Sequence, residues 1–156
     1  MNDIDFKIND KQLIANNTKD SKQINCSVDS INVIFISKIG NPEAKEQELA
    51  IRAITDFDDK MLIYKSTDQE QVKAAYKSLV KTLKAENPCF RNYFPRCINM
   101  EKVHSIGWNK VPFKYIATID FGKSTLQFRT FENEFNKLIE DLRFVKSKET
   151  NRNIER

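Results

Sequence analysis

The chain has 156 residues, 40% hydrophobic and 31% charged, with a formal net charge of +4. That balance suits one compact soluble domain, or two half-domains sharing a core. No apolar run approaches the roughly 18 residues of a membrane span, and Met1-Asn2-Asp3-Ile4-Asp5-Phe6 lacks the basic and apolar regions of a secretory leader. A cytoplasmic protein with no membrane partner is the expectation. Cys26, Cys89 and Cys97 are odd in number and lack close metal-type spacing. Reduced thiols are therefore the simplest reading, since a Cys89–Cys97 disulfide needs an oxidising compartment.

Residues 1–30 are polar and hold two short strand-like pieces, 12–15 and 23–28. Between them, Asn16-Asn17-Thr18-Lys19-Asp20-Ser21 has turn chemistry, because Asn and Asp side chains bond nearby backbone. The stretch 31–39 is β-branched and apolar on both parities, as in a central strand buried on both faces. Gly40-Asn41-Pro42 stops it, and 43–48 reads as a charged loop or a single helical turn. Residues 49–57 and 61–65 read as a hairpin around Asp58-Asp59. A helix starts at 66–70, where Thr67 and Glu70 have capping-box spacing. Val72, Ala75, Tyr76, Leu79, Val80 and Leu83 form its apolar stripe, and Pro88 ends it near Asn87.

In the second half, 98–106 is a weaker strand candidate, while 113–121 alternates clearly. Phe113, Tyr115, Ala117, Ile119 and Phe121 fall on one face of that strand, and Lys114, Ile116, Thr118 and Asp120 on the other. Gly122-Lys123-Ser124 turns into 125–130, with Leu126 and Phe128 inward and Gln127 and Arg129 outward. A helix over 132–145 buries Phe135, Leu138, Ile139 and Leu142. The polar tail 147–156 is expected to be flexible.

These elements point to a repeat. Ala53–Ser66 aligns without gaps on Ala117–Thr130, 64 residues later. Ala53/Ala117, Asp56/Asp120, Phe57/Phe121 and Leu62/Leu126 are identical pairs. The expected fold is α+β: two strands-then-helix units, each a mostly antiparallel sheet with one helix, sharing one core. The single domain 1–156 would contain the copies 12–87 and 88–146.

Chemistry-bearing motifs are sparse. Gly40, Gly107 and Gly122 are never close together, so no phosphate-cradling loop is present. His104 is the only histidine, which excludes a metal site with several His ligands; it reads as structural. Asp56, Asp58 and Asp59 followed by Lys60 fit a hairpin turn, with a metal-dependent nuclease as a remote third option. No catalytic residue, metal or cofactor is expected.

Charge is the positive signal. Residues 1–87 carry 13 Lys/Arg against 14 Asp/Glu, and 130–156 carry six of each. The stretch 88–129 carries seven cations against two acids, interleaved with eight aromatics. Cations along a strand and rings under its bases hold single-stranded nucleic acid. Phe113, Tyr115, Phe121 and Phe128 read as core, whereas Phe90, Tyr93, Phe94 and Trp108 are open between core and surface. The candidate binding set is Arg91, Tyr93, Phe94, Arg96, Trp108, Lys110, Lys114, Lys123 and Arg129.

On the two hairpin-to-helix junctions, Tyr64-Lys65-Ser66 and Phe128-Arg129-Thr130, and on Asp56-Phe57 and Asp120-Phe121, the layout over 12–145 resembles the purine-rich-element-binding (PUR) repeat and the Whirly fold. The resemblance implies intertwined units whose outer sheet faces bind single-stranded DNA or RNA. A non-enzymatic single-strand-binding module is the leading expectation. The alternative is a small protein-interaction module, an inhibitor or adaptor such as mobile elements encode, with the same segment as its hot spot. A homodimer is left open.

Overall fold

The computed structural model describes residues 3–154 apart from 41, 42, 44 and 46. Its fold is α+β, with antiparallel sheets and two helices among the described residues. The chain divides into two compact units, Met1–Ile98 and Asn99–Arg156.

The first unit opens with a three-stranded meander, β1 (Ile4–Asn9), β2 (Gln12–Asn17) and β3 (Lys22–Ser27). Ile4, Phe6 and Ile8 alternate with Asp5, Lys7 and Asn9, the two-residue period of a half-buried strand. The β1–β2 turn places Asp10 and Lys11 at positive φ, as a primed two-residue hairpin turn requires. At the β2–β3 turn the Asn17 and Asp20 side chains accept from the N–H groups of Lys19 and Lys22, the expected turn chemistry.

A five-stranded antiparallel sheet follows, in the order β6-β5-β4-β8-β7. Its strands are β4 (Ile31–Ile39), β5 (Glu48–Thr55), β6 (Met61–Ser66), β7 (Phe90–Tyr93) and β8 (Arg96–Asn99). β4 is central, and Ile31 to Ile34 are buried on both faces. Asp58 closes the β5–β6 turn: its carbonyl accepts from the Thr55 N–H, and its carboxylate accepts from the Lys60 N–H. Helix α1 (Gln69–Glu86) buries all six residues of its apolar stripe. It packs on β1, β5, β6 and β7, so both sheets contribute to one core. Its cap is Asp68, one residue beyond the capping-box position read from sequence, and the Asp68 carboxylate accepts from the Gln71 N–H. The segment 43–48 yields only a turn at Glu43, a bend at Lys45 and the start of β5; positions 41, 42, 44 and 46 lie outside the described residues.

The second unit begins at Asn99, the last residue of β8, and continues into a short 3-10 turn, Met100–Lys102. Three strands, β9 (Ser105–Val111), β10 (Lys114–Asp120) and β11 (Thr125–Thr130), pair antiparallel in the order β11-β10-β9. Helix α2 (Glu132–Ile154) packs on β10. It runs nine residues past Val145, where periodicity ended it, so 147–154 is helical; 155 and 156 lie outside the described residues.

Ala53–Ser66 and Ala117–Thr130 each form a hairpin leading into a helix. Around those hairpins the units differ, with eight strands in two sheets against three strands in one, among the described residues. β7 and β8, which fall within the expected second copy 88–146, pair into the sheet of the first unit. The weak strand candidate 98–106 is instead the end of β8, the 3-10 turn and the start of β9.

Candidate nucleic-acid interface

Four of the nine candidate residues lie in the first unit. Tyr93, at the end of β7, is only 3% exposed. A ring so placed cannot stack on a base, and this corrects its assignment. Phe94, at the β7–β8 turn, is 53% exposed and meets the Tyr76 ring edge-on at 5.5 Å. The Tyr76 hydroxyl donates to Asn92 Oδ1 at 2.7 Å, tying α1 to the edge strand. Arg91 and Arg96 are half-buried, and the Arg91 Nε is enclosed without a hydrogen-bond partner. They are poorer phosphate ligands than free surface cations would be.

The other five lie in the second unit, and strand pairing sorts them onto faces. Residues directly opposite in a sheet share a face. Ala117 pairs with Trp108 and with Phe128, and Tyr115 pairs with Lys110 and with Thr130. These six side chains therefore belong to the α2 side. Ile116 pairs with Asn109 and Arg129, and Lys114 with Val111, which places Lys114 and Arg129 on the opposite, solvent-facing side. Lys123 sits in the β10–β11 turn. The five candidates thus divide into two faces and a turn.

Trp108 converges with residues outside the candidate binding set, several of them expected in the core. Trp108 is 56% exposed and stands 5.6 Å from the Phe135 ring, which stacks in parallel on Tyr115 at 4.5 Å. Between β9, β10 and α2 runs a groove of about 590 Å³ lined by Trp108, Tyr115, Phe135, Asn136, Ile139, Glu140 and Arg143. Phe135, Ile139 and Arg143 recur every four residues, so one helix face supplies both its wall and its cation. That spacing was the available signal. The equal charge count over 130–156 concealed Arg143.

Phe113, expected in the core, is 93% exposed at the tip of the β9–β10 hairpin with φ of 65°. Pro112 and Phe113 are the two turn residues between the paired Val111 and Lys114, so alternation no longer governs Phe113. The other expected core rings, Phe121 and Phe128, are buried, and Tyr115 is half-buried beneath the groove. Beside the tip, Lys114 Nζ lies 5.4 Å from the centre of the exposed Phe131 ring, a cation–π contact.

His104 packs against Gly122: a Cβ there would meet the imidazole Cε1 at 2.8 Å. The His104 backbone N–H donates to the Asp120 carbonyl. Among the described residues, no group of three or more His, Cys, Asp or Glu side chains is placed to hold a metal ion. Burial raises the Cys97 thiol to about 12 and the Cys26 thiol to about 11. Neither is a nucleophile near neutral pH. No helix among the described residues is long and apolar enough to cross a membrane. Compared with protein-family models, curated proteins and solved structures, the chain matches none significantly.

Proposed function

We propose that the chain binds single-stranded nucleic acid, DNA or RNA, with little sequence preference, through the groove between β9, β10 and α2. The observation that carries this reading is the half-exposed Trp108 ring over a groove lined by Tyr115, Phe135 and Arg143, with Lys110 on the same face of the sheet. A base splayed out of a single strand can stack on Trp108, contributing about 1–3 kcal/mol. Lys110 and Arg143 neutralise the adjoining phosphates. The Asn136 amide and Glu140 carboxylate offer a donor and acceptors to the base edge. Duplex bases are stacked inside the helix and do not reach such a groove. The mechanism is capture, with no bond made or broken.

Trp108 is the only tryptophan, so its emission reports the contact directly. Titration with a single-stranded oligonucleotide at low salt is expected to quench it. Trp108→Ala should weaken binding about 5- to 150-fold, the equivalent of one lost stack. Unaltered emission at saturating oligonucleotide, with unchanged affinity in Trp108→Ala, would overturn the assignment.

A second reading, a protein-interaction module, is favoured by Phe113 and Phe131, which stand in solvent beside Lys114. Exposed aromatics next to a cation are the usual material of a protein hot spot. A protein retained from nuclease-treated lysate by the wild type and released by Phe113→Ala would favour that reading over the first.

A further inference from the structure

The solvent face of α1 carries Lys73, Lys77, Lys81 and Lys84 on successive turns, all exposed. At 1.5 Å of rise per residue the row is about 16 Å long. Lys77, Lys81 and Lys84 rim a shallow groove with Ala74, Ser78 and Val80 between them. The small side chains of Ala74 and Ser78 allow a ligand to lie close to the helix.

Folding does not account for this row. Like charges at i, i+4 oppose helix formation, and Lys73–Lys77 and Lys77–Lys81 are both such pairs. Lys73 has Glu70 at 3.7 Å, but among the described residues no acid lies within ion-pair distance of Lys77 or Lys81. The buried stripe that anchors α1 lies on other positions and is complete without them. An extended anion outside the molecule would relieve the repulsion that the chain itself leaves in place. Lysine suits a phosphodiester backbone, since it is a compact point charge that does not select among bases.

We propose that the α1 lysine row is a second contact for single-stranded nucleic acid, gripping its phosphates in the first unit. This rests on the nucleic-acid reading above and adds to it a site from which the aromatic groove is absent. Binding at two sites on one strand raises overall affinity by making the second contact intramolecular. The row also explains how a unit with a balanced total charge takes part.

The test compares the full chain, Lys77→Gln/Lys81→Gln and Trp108→Ala, binding a labelled single-stranded 40-mer across a salt series. Each phosphate contact on a single strand contributes about 0.7 to the log–log salt slope, so losing two flattens it by about 1.4. Between about 50 and 200 mM salt the wild type should then lose roughly sevenfold more affinity than the double variant. Quenching of Trp108 at saturation should be unchanged in the double variant, and its melting temperature should not fall.

An unchanged slope in the double variant overturns the lysine row and leaves the Trp108 reading standing. A flattened slope in the double variant, with Trp108 emission indifferent to the oligonucleotide, does the reverse. No binding by the wild type overturns both. Tighter binding of the wild type to duplex DNA or to phosphatidylserine vesicles, lost in the double variant, overturns the single strand as the occupant.

Discussion

The two units dispose of their large apolar side chains differently. In Met1–Ile98 the rings of Tyr64, Tyr76, Phe90 and Tyr93 are buried, and Phe57 and Phe94 are the exposed ones among the described residues. In the much shorter Asn99–Arg156, Trp108, Phe113, Phe131 and Phe144 all stand in solvent. The first unit sets one helix against two sheets, so most of its rings find an interior. The second sets one helix against three strands, and a layer that thin has fewer positions enclosed on every side. Rings left outside do little for folding and are available for recognition. The charges run the other way. The first unit's helix presents a lysine row without exposed rings, whereas the second unit combines cations with exposed rings.

The widest gap should appear in stability. Leu79 is wholly enclosed on α1, and Leu79→Ala should cost about 2–5 kcal/mol in urea unfolding. Phe131→Ala, on the second unit's surface, should cost under about 1 kcal/mol, the size of its cation–π contact. Equal losses at the two positions would dissolve the contrast.

A smaller effect should appear in alkali. The Cys97 thiol has a folded-state pKa raised by burial from 9.0 to about 12. Its contribution is fully present below pH 9, because both states then keep the proton. Above that the unfolded chain releases a proton that the folded chain holds, and stability falls by about 1.4 kcal/mol per pH unit. Cys97→Ala should remove that share of the slope in denaturation measured from about pH 9 to 11. Burial raises Tyr76 in the same direction, so part of the slope should remain. A slope identical to the wild type's would place the Cys97 thiol in water.

The smallest change concerns the hairpin tip. Phe113 holds a left-handed conformation that glycine adopts without strain. Phe113→Gly should be neutral, or more stable by up to about 1 kcal/mol. A loss larger than that would mean the ring is packed, and the second unit would have one exposed aromatic fewer.

Much of this architecture was legible locally. The apolar stripe of α1 and the double-sided apolar run of β4 fall where periodicity puts them, because both patterns follow from backbone geometry alone. The Asn17, Asp20 and Asp58 turns were legible for the same reason, since each side chain bonds backbone two residues away. β1 had a readable Ile4, Phe6, Ile8 alternation within a polar stretch, and the polar composition masked it. β7 and β9 carry a weak strand signal because Asn92, Gly107 and Asn109 are poor strand formers. Both are edge strands, held by one neighbour rather than by their own propensity.

The site was less legible than the fold. Composition located an excess of cations and rings; of these Trp108 lines the groove, and Lys110 shares its sheet face. Which face each residue occupies depends on strand register, and a one-residue change in phase moves a side chain to the other side of the sheet. Register put Lys110 on the α2 side of the sheet and Lys114 and Arg129 on the opposite face. It also enclosed Tyr93. Periodicity along the chain therefore settled α1, with its buried stripe and lysine row, and the central strand β4. Partners distant in sequence settled which rings meet water, because burial depends on what packs from elsewhere.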